Sequence, residues 1–222
     1  MTLSSPPCRT GHTRYLSRVT GVPAGGRAGD ADGRISCMTL TVVGIGGSVR
    51  PDSQSERAMR AALAGARDAG AKVRAITGSD LALPFYDPQV PERTENAIEL
   101  VEALRTADGV VISSPGYHGT ISGLIKNALD YVEDLRGDER VYLDGRAVGC
   151  IGVAYGWQAT VTTLQALRSV VHSLRGWPTP LGAAVNSAET QLGPEGESED
   201  EKVTRTLRTI GQQVVDFANS RR

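Results

Sequence analysis

Three serine hydroxyls and one arginine guanidinium lie within eight residues of one another, between positions 48 and 55. Hydroxyls donate hydrogen bonds to phosphate oxygens, and a planar guanidinium binds two such oxygens in parallel. Two glycines open the segment and allow the backbone to approach a ligand, and the helical pattern that follows offers N–H groups that attract an anion. The segment therefore predicts a phosphate-binding loop. Its candidate residues are Ser48, Arg50, Ser53, Gln54 and Ser55.

Three better-known motifs do not fit this loop. A Walker A motif requires a lysine after its last glycine, and the loop has no lysine. A dinucleotide-binding GxGxxG motif that begins at Gly44 would need glycine at position 49, where the chain has Val49. A nucleophile elbow around Ser48 would need glycine at position 50, where Arg50 stands. An ordinary turn with serine helix caps remains an alternative, although such a turn does not require an arginine.

Residues 114–131 form a second segment that could bind a ligand, a Gly- and Pro-rich loop that carries Tyr117 and His118 into another helical pattern. Backbone N–H groups held by such a loop could donate to the carbonyl oxygens or ring nitrogens of a heterocycle. His118 itself is either a proton donor or a solvated loop residue. The other two histidines are His12 and His172, and the spacing of the three histidines is not that of a metal site.

Both segments follow apolar runs in a chain that alternates short β-branched runs with longer amphipathic stretches. The predicted strands are residues 39–46, 72–76, 109–113, 147–154 and 179–185. The predicted helices are residues 55–69, 92–106, 122–132, 159–174 and 199–219, with Thr94 as a start signal for the second. This alternation indicates an α/β fold with a parallel sheet between helices, in which ligands bind beyond the carboxyl ends of the strands.

The two segments together resemble the NAD(P)H-dependent FMN reductase family of the flavodoxin-like fold. This chain has GSVRPDSQS and SPGYHGTISGLIKNALDY, where family members read approximately GSxRxxSxN and SPEYNGSxPGxLKNAxDW. The resemblance covers about residues 40–218 and implies a three-layer sandwich with a five-stranded parallel sheet in the order 2-1-3-4-5. It also implies a bound FMN, hydride transfer from NAD(P)H, and a ping-pong reduction of quinones, azo compounds, metal oxyanions, free flavin or similar small acceptors.

Carried over to this chain, the resemblance implies that the five residues of the first loop bind the FMN phosphate. The residues expected along the isoalloxazine ring are Pro115, Gly116, Tyr117, His118 and Gly119, with Tyr155 and Gly156 from the loop after the fourth strand. No catalytic side chain is expected, and Asn127 and Asp130 would support the second loop. Four positions depart from the family: Gly116 replaces Glu, His118 Asn, Ser122 Pro and Tyr131 Trp. Main-chain contacts to flavin do not depend on these side chains.

Composition excludes several other classes of protein. The 24 Lys and Arg nearly balance the 25 Asp and Glu, which argues against a nucleic-acid or membrane-surface binder. No window approaches the roughly 18 apolar residues of a membrane span. The three cysteines, Cys8, Cys37 and Cys150, form neither a CxxC pair nor an even framework, so a reducing compartment and a cytoplasmic protein are expected. Cys150 is expected in the core, and the resemblance implies a homodimer or homotetramer.

The chain divides near Met38. Residues 1–37 lack a hydrophobic period and hold five arginines against two aspartates. We expect either a disordered tail or an over-extended start upstream of Met38, with a transit peptide less favoured and no secretory signal. Residues 38–222 are expected to form the FMN-binding domain.

Two other functions remain open from the residues alone. A flavodoxin-like electron carrier without NAD(P)H oxidase activity would share the fold. Such carriers tend to be strongly acidic and to bind phosphate without arginine, whereas the five arginines and two aspartates of residues 1–37 leave residues 38–222 with a net charge of only −4. A structural or regulatory subunit without flavin would share the fold as well.

The chain has only ten aromatic residues, so an aliphatic sheet is expected. Five aromatic residues fall in predicted loops, near the edge where a flat cofactor would lie: Phe85, Tyr86, Tyr117, Tyr155 and Trp157. Tyr155 or Trp157 could flank such a ring, and contact between subunits is an alternative role for Trp157.

Overall fold

Apolar runs form a twisted sheet that is covered by helices in the computed structural model, which describes residues 39–222. The strands are β1 (Thr41–Gly46), β2 (Lys72–Thr77), β3 (Gly109–Tyr117), β4 (Thr120–Ile121), β5 (Ala147–Ala154), β6 (Trp177–Pro178) and β7 (Ala183–Asn186). The α-helices are α1 (Gln54–Asp68), α2 (Glu95–Thr106), α3 (Gly123–Asp130), α4 (Trp157–Ser173) and α5 (Glu201–Ser220). Short 3₁₀ helices span Gly78–Leu81 and Tyr131–Leu135. The expectation for residues 1–37 lies outside the described residues.

The expected strand order is confirmed, with a fifth strand that is broken in two. The parallel strands run in the order β2-β1-β3-β5, and both β6 and β7 pair with the outer edge of β5. The prediction of one strand over residues 179–185 is wrong, because the chain leaves the sheet between β6 and β7. Pro180 lies in this gap and has no N–H group to donate to a neighbouring strand.

The third strand is longer than its apolar run predicts. Residues 114–117, expected in a loop, continue β3. Ser114 and Pro115 still pair with β5, whereas Gly116 and Tyr117 pair with β4 as an antiparallel hairpin. The two residues between the paired strands are His118 and Gly119, with φ values of 50° and 92°. Positive φ at both positions is the geometry of a tight type I′ turn, which matches the twist of the hairpin. The turn therefore converts the predicted loop into a defined backbone.

Two aliphatic cores lie on opposite faces of the sheet, which gives the expected three layers. Val43 and Ile45 of β1 pack on the side of α2, α3 and α4, whereas Val42 packs on the side of α1 and α5. The two sets of contacts are separate because successive side chains of a strand point to opposite faces of the sheet. Helices α1 and α5 lie so close that a Cβ at Gly211 would overlap the carbonyl oxygen of Ala62. Cys150 is buried as expected, and loss of hydration raises the pKa of its thiol to about 12.

Polar caps define most helix starts. Ser53 accepts from the N–H of Glu56, Thr94 from that of Ala97, and Ser122 from that of Ile125, so α1, α2 and α3 begin directly after these residues. The predicted start signal at Thr94 is confirmed, but it places the beginning of α2 three residues after the predicted boundary. No helix within residues 39–222 is both long enough and apolar enough to cross a membrane.

An ordered loop, residues 82–94, joins the first 3₁₀ helix to α2. Asn127 of α3 accepts a hydrogen bond from the N–H of Tyr86 at 2.9 Å and donates to the carbonyl of Pro84 at 2.8 Å. Arg93 binds both carboxylate oxygens of Asp134 at 2.7 and 2.9 Å, and its guanidinium lies 5.0 Å from the Tyr86 ring centroid. Asn127 thus supports this loop, not the loop after β3 for which the resemblance suggested it.

Replacing Asp134 by asparagine should lower stability at neutral pH by about 2 kcal/mol, the value of a charged, bidentate hydrogen-bonded pair. Hydrogen bonding to Arg93 holds the pKa of Asp134 below its ordinary value of 3.8. The ionised carboxylate therefore stabilises the folded state above pH 3.8. This contribution to the free energy of unfolding is lost as the pH falls through the lowered folded-state pKa. Urea unfolding of both proteins from pH 7 to pH 3 should show the difference shrinking at the acid end. A pH-independent difference would contradict the assignment.

Candidate functional site

Two adjoining clefts lie at the carboxyl ends of β1, β3, β5 and β7. The first has a volume of about 400 Å³ and is lined by Ser48, Arg50, Ser53, Gln54, Ser55, Pro115, Gly116, Tyr117, Val153, Ala154, Tyr155 and Ser187. The second has a volume of about 480 Å³ and is lined by His118, Gly119, Tyr155, Gly156, Trp157, Gln158, Ala159 and Thr162. Tyr155 lines both. The structure thus brings every sequence-predicted site residue to one or both of these clefts.

The serine end of the first cleft is built by the start of α1. Ser53 caps this helix, and its Oγ lies 3.2 Å from the Oγ of Ser55. Ser48 is buried and accepts a hydrogen bond from the N–H of Arg50 at 3.2 Å, which closes the turn. The first N–H groups of α1 have no acceptor in the helix itself, so this end combines hydroxyls, free amides and the positive end of a helix dipole.

Gln54 lines the first cleft, but its side-chain amide is occupied elsewhere. Its Nε2 donates to the carbonyl of Leu192 at 3.2 Å, and its Oε1 accepts from the N–H of Leu192 at 2.8 Å. Arg57 donates to the same carbonyl at 2.8 Å. Gln54 therefore ties the start of α1 to the segment before α5, and only its backbone remains for a ligand.

Charge in the first cleft favours an anion. Among residues 39–222 no Asp or Glu lines it, and the guanidinium of the exposed Arg50 has no hydrogen-bond or ion-pair partner. Glu56, the one buried carboxylate among residues 39–222, is paired with Arg60 at 2.7 Å. Apart from Gln54 and Ser187, the remaining lining is apolar or aromatic and comes mainly from the ends of β3 and β5. One end of the cleft therefore suits a phosphate, and the other suits a flat apolar group.

The β3–β4 hairpin forms the border between the clefts. His118 occupies a left-handed backbone position, which Asn and His tolerate better than most residues, so the change from the family's Asn keeps the turn. Tyr117 is half exposed beside it. Gly116 has no room for a side chain, because a Cβ there would overlap Thr163 Oγ1 and lie 3.0 Å from the Cβ of Ala154. The glutamate that family members carry at this position would not fit against α4.

Replacing Gly116 by alanine should destabilise the protein by about 1–3 kcal/mol, since an added methyl group in a filled site forces its neighbours apart. Helix α4 must shift away from the hairpin to accommodate it. Thermal unfolding measures the loss, and Gly123→Ala is the matched control because a Cβ there meets no atom within 4 Å. Equal effects of the two substitutions would contradict the tight packing of Gly116.

Sequence reasoning missed the contribution of the chain after β7. Ser187 lines the first cleft, and the neighbouring Asn186 is buried and accepts from the N–H of Gly156 at 2.8 Å. The predicted fifth strand ended at residue 185, so neither residue was placed at the edge of the sheet. Val153 and Ala154 were predicted only as the end of the fourth strand, and they line the cleft as well. Within residues 39–222, no cluster of three His, Cys, Asp or Glu residues could hold a metal ion.

The expected gathering of aromatic residues is only partly observed. Tyr117, Tyr155 and Trp157 line the clefts, and Tyr155 is 85% exposed. Tyr86 packs edge-on against Tyr131 instead, with ring centroids 5.1 Å apart. Phe85, which is 92% exposed, lines neither cleft.

Comparison with known proteins supplies the chemistry that goes with this arrangement. Residues 40–190 match the family model of NADPH-dependent FMN reductase. An FMN-dependent NADPH-azoreductase of Staphylococcus aureus is 30% identical over 135 residues, which cover 60% of this chain and 68% of that protein.

Solved structures agree on the fold. FerB, a flavoenzyme NAD(P)H:(acceptor) oxidoreductase from Paracoccus denitrificans, aligns with a TM-score of 0.64 at 20% identity, over 82% of this chain and 98% of that one. An NADH:FMN oxidoreductase in its apo form aligns with a TM-score of 0.59 at 22% identity, over 82% of this chain and 90% of that one. A WrbA-like flavodoxin from Agrobacterium tumefaciens aligns with a TM-score of 0.56 at 19% identity, over 83% of this chain and 99% of that one.

Proposed function

We propose, from the premise that the chain belongs to the NADPH-dependent FMN reductase family, that it transfers electrons from NAD(P)H to small acceptors by a ping-pong mechanism. Membership makes the protein an NAD(P)H-dependent oxidoreductase with FMN as its cofactor. The acceptors that we propose are quinones, azo compounds, free flavin or similar small molecules. FMN, when bound, would supply the redox chemistry between NAD(P)H and the acceptor, and the protein would supply binding and orientation.

The single observation that carries this proposal is the donor set of the first cleft. Three serines and Arg50 meet at the start of α1 with no carboxylate among the lining residues, and the cleft continues as an apolar surface at the ends of β3 and β5. FMN has the matching polarity, with a phosphate at one end and a flat ring at the other. The residues present therefore fit the cofactor.

In this arrangement the chain binds and orients. Arg50 and the hydroxyls of Ser48, Ser53 and Ser55 would hold the phosphate through charged hydrogen bonds. Backbone groups of residues 115–119 and 155–156 would lie along the ring, with Tyr117 and Tyr155 at its sides. The chain needs no catalytic acid or base of its own for this binding, and we assign none.

The proposal is tested with purified protein reconstituted with FMN. We expect a yellow protein that oxidises NADPH when a quinone is added, with parallel double-reciprocal plots that indicate a ping-pong mechanism. Riboflavin, which lacks the phosphate, should bind more weakly than FMN. Protein that stays colourless after reconstitution would refute the proposal, and a yellow protein that does not oxidise NADPH would identify an electron carrier instead.

We also propose that the protein works as a homodimer. Several aromatic side chains are exposed, among them Tyr155, which lines both clefts, and Phe85, which lines neither. Phe85 lies between residues that Asn127 and Tyr131 hold by hydrogen bonds, so little side-chain and loop entropy would be lost when a partner covers it. Light scattering should show a dimer that Phe85→Ala weakens, whereas a monomer at all concentrations would contradict this assignment.

A further inference from the structure

A polar network joins the end of β7 to the start of α4. Asn186 Oδ1 accepts from the N–H of Gly156 at 2.8 Å, and its Nδ2 donates to Glu189 Oε1 at 2.8 Å. The same carboxylate oxygen accepts from the indole Nε1 of Trp157 at 2.8 Å. Asn186 is buried, so the network is anchored in the body of the fold.

This network restrains the backbone at Gly156. Gly156 has φ 132° and ψ 144°, a conformation that is essentially restricted to glycine. It precedes α4 without any side-chain cap. The hydrogen bond that the N–H of Gly156 donates to Asn186 therefore restrains this turn in place of a side-chain helix cap.

Trp157 gains little from burial, since 55% of it is exposed. Its only hydrogen-bond donor is nevertheless bound to Glu189, which fixes the orientation of the ring. The ring lines the second cleft together with Tyr155 and His118. The exposed Glu189 binds the indole and is itself bound by the buried Asn186. An exposed indole with a fixed orientation is typical of a recognition surface, because aromatic rings contact ligands with a small loss of side-chain entropy.

The lining of the second cleft also indicates what it would bind. None of its eight lining residues is Asp, Glu, Lys or Arg, and three of them carry rings. Such a surface favours a flat uncharged ring over a charged metal oxyanion, because no fixed charge is present to pair with the anion.

We propose that Asn186 and Glu189 are positioning residues, which hold Trp157 as one wall of a site for a planar, uncharged aromatic electron acceptor in the second cleft. This inference rests on the proposed function for the identity of the ligand as an acceptor. The two residues do not touch the acceptor and act through Trp157.

The first test follows the indole directly in a Trp177→Phe background, in which Trp157 is the only tryptophan. Glu189→Ala should lower the fluorescence anisotropy of Trp157, whereas Glu189→Gln should preserve it, because the amide oxygen can accept the same two hydrogen bonds. Asn186→Asp should resemble Glu189→Ala, since it places a second carboxylate against Glu189. Glu195→Ala, an exposed glutamate of the same segment, is the matched control.

The second test measures binding and turnover with menadione as the planar probe. In FMN-free protein, quenching of Trp157 fluorescence measures the affinity for menadione. This affinity should fall about fivefold in Glu189→Ala, the effect expected when one well-oriented aromatic contact is lost. In the FMN-loaded enzyme, KM for menadione should rise by a similar factor at nearly constant kcat, and KM for ferricyanide should not change.

The outcomes separate this inference from the proposed function. Unchanged anisotropy in Glu189→Ala, or quenching that equals that of the wild type, would overturn the positioning role. An equal rise of KM for both acceptors would overturn the selectivity of the second cleft. If the protein binds no FMN, the proposed function fails, and the anisotropy and quenching in FMN-free protein still decide whether Glu189 positions Trp157 for a planar ligand.

Discussion

Replacing Arg50 by alanine should weaken FMN binding by about ten- to a hundredfold, the loss expected for a charged hydrogen bond of about 1.5–3 kcal/mol. Arg50 is the only cationic side chain that lines the first cleft, and it has no other partner within residues 39–222. Its guanidinium is therefore available to a phosphate without first breaking an ion pair. Fluorescence titration of FMN into the FMN-free protein measures the change.

The reason for this loss can be tested with a second ligand. Riboflavin lacks the phosphate, so its affinity should be the same in wild type and Arg50→Ala. Arg50→Lys should recover part of the FMN affinity, because lysine keeps the charge but not the two parallel donors. Arg67→Ala removes the same charge from the far end of α1 and should leave FMN affinity within twofold. An equal loss of riboflavin and FMN would contradict the phosphate role.

Replacing Arg146 by methionine should cost about 3–5 kcal/mol of stability, because a buried set of hydrogen bonds to a charged group is lost at once. Arg146 is 1% exposed. It donates to the carbonyls of Ala107 at 3.0 Å, Tyr142 at 3.0 Å and Arg105 at 2.8 Å. Burial lowers the pKa of Arg146 to about 10, which still leaves the guanidinium charged at neutral pH.

Differential scanning calorimetry should show the melting temperature falling by about 10 °C, given roughly 2–4 °C per kcal/mol for a domain of this size. Arg140→Met is the matched control, because Arg140 is exposed and donates only to the carbonyl of Ala107. Its cost should stay below about 1 kcal/mol. If Arg146→Met does not fold, Arg146→Lys should show an intermediate loss. Equal costs for the substitutions at positions 140 and 146 would refute the assignment.

Arg146 also illustrates a residue that no local pattern identifies. In the sequence it is one of 24 basic residues and lies beside a predicted strand. Its partners are Arg105 and Ala107 at the end of α2 and Tyr142 in the preceding loop. Two of these contacts come from chain positions about 40 residues away, and their geometry exists only after α2 has packed on the sheet.

Local patterns did identify the features that depend on neighbouring residues. Thr94 was recognisable as a helix start because an N-cap bonds an amide only three residues ahead. The parallel sheet followed from the alternation of strands and helices, and the order of its strands was implied by the family resemblance. The serines and Arg50 were grouped because eight consecutive residues contain them all.

The sequence by itself determined the alternating elements and the family, and it grouped the serines and Arg50 of the proposed phosphate loop, because each depends on short-range periodicity or on a contiguous motif. Only the tertiary structure decided that Gln54 binds Leu192 across 138 residues, that Gly116 is needed against Thr163, and that Asn186 restrains Gly156. These contacts join segments that are distant in the chain, and a side chain's partners are set by packing after the segments meet. The same residue types would serve other roles in a different packing.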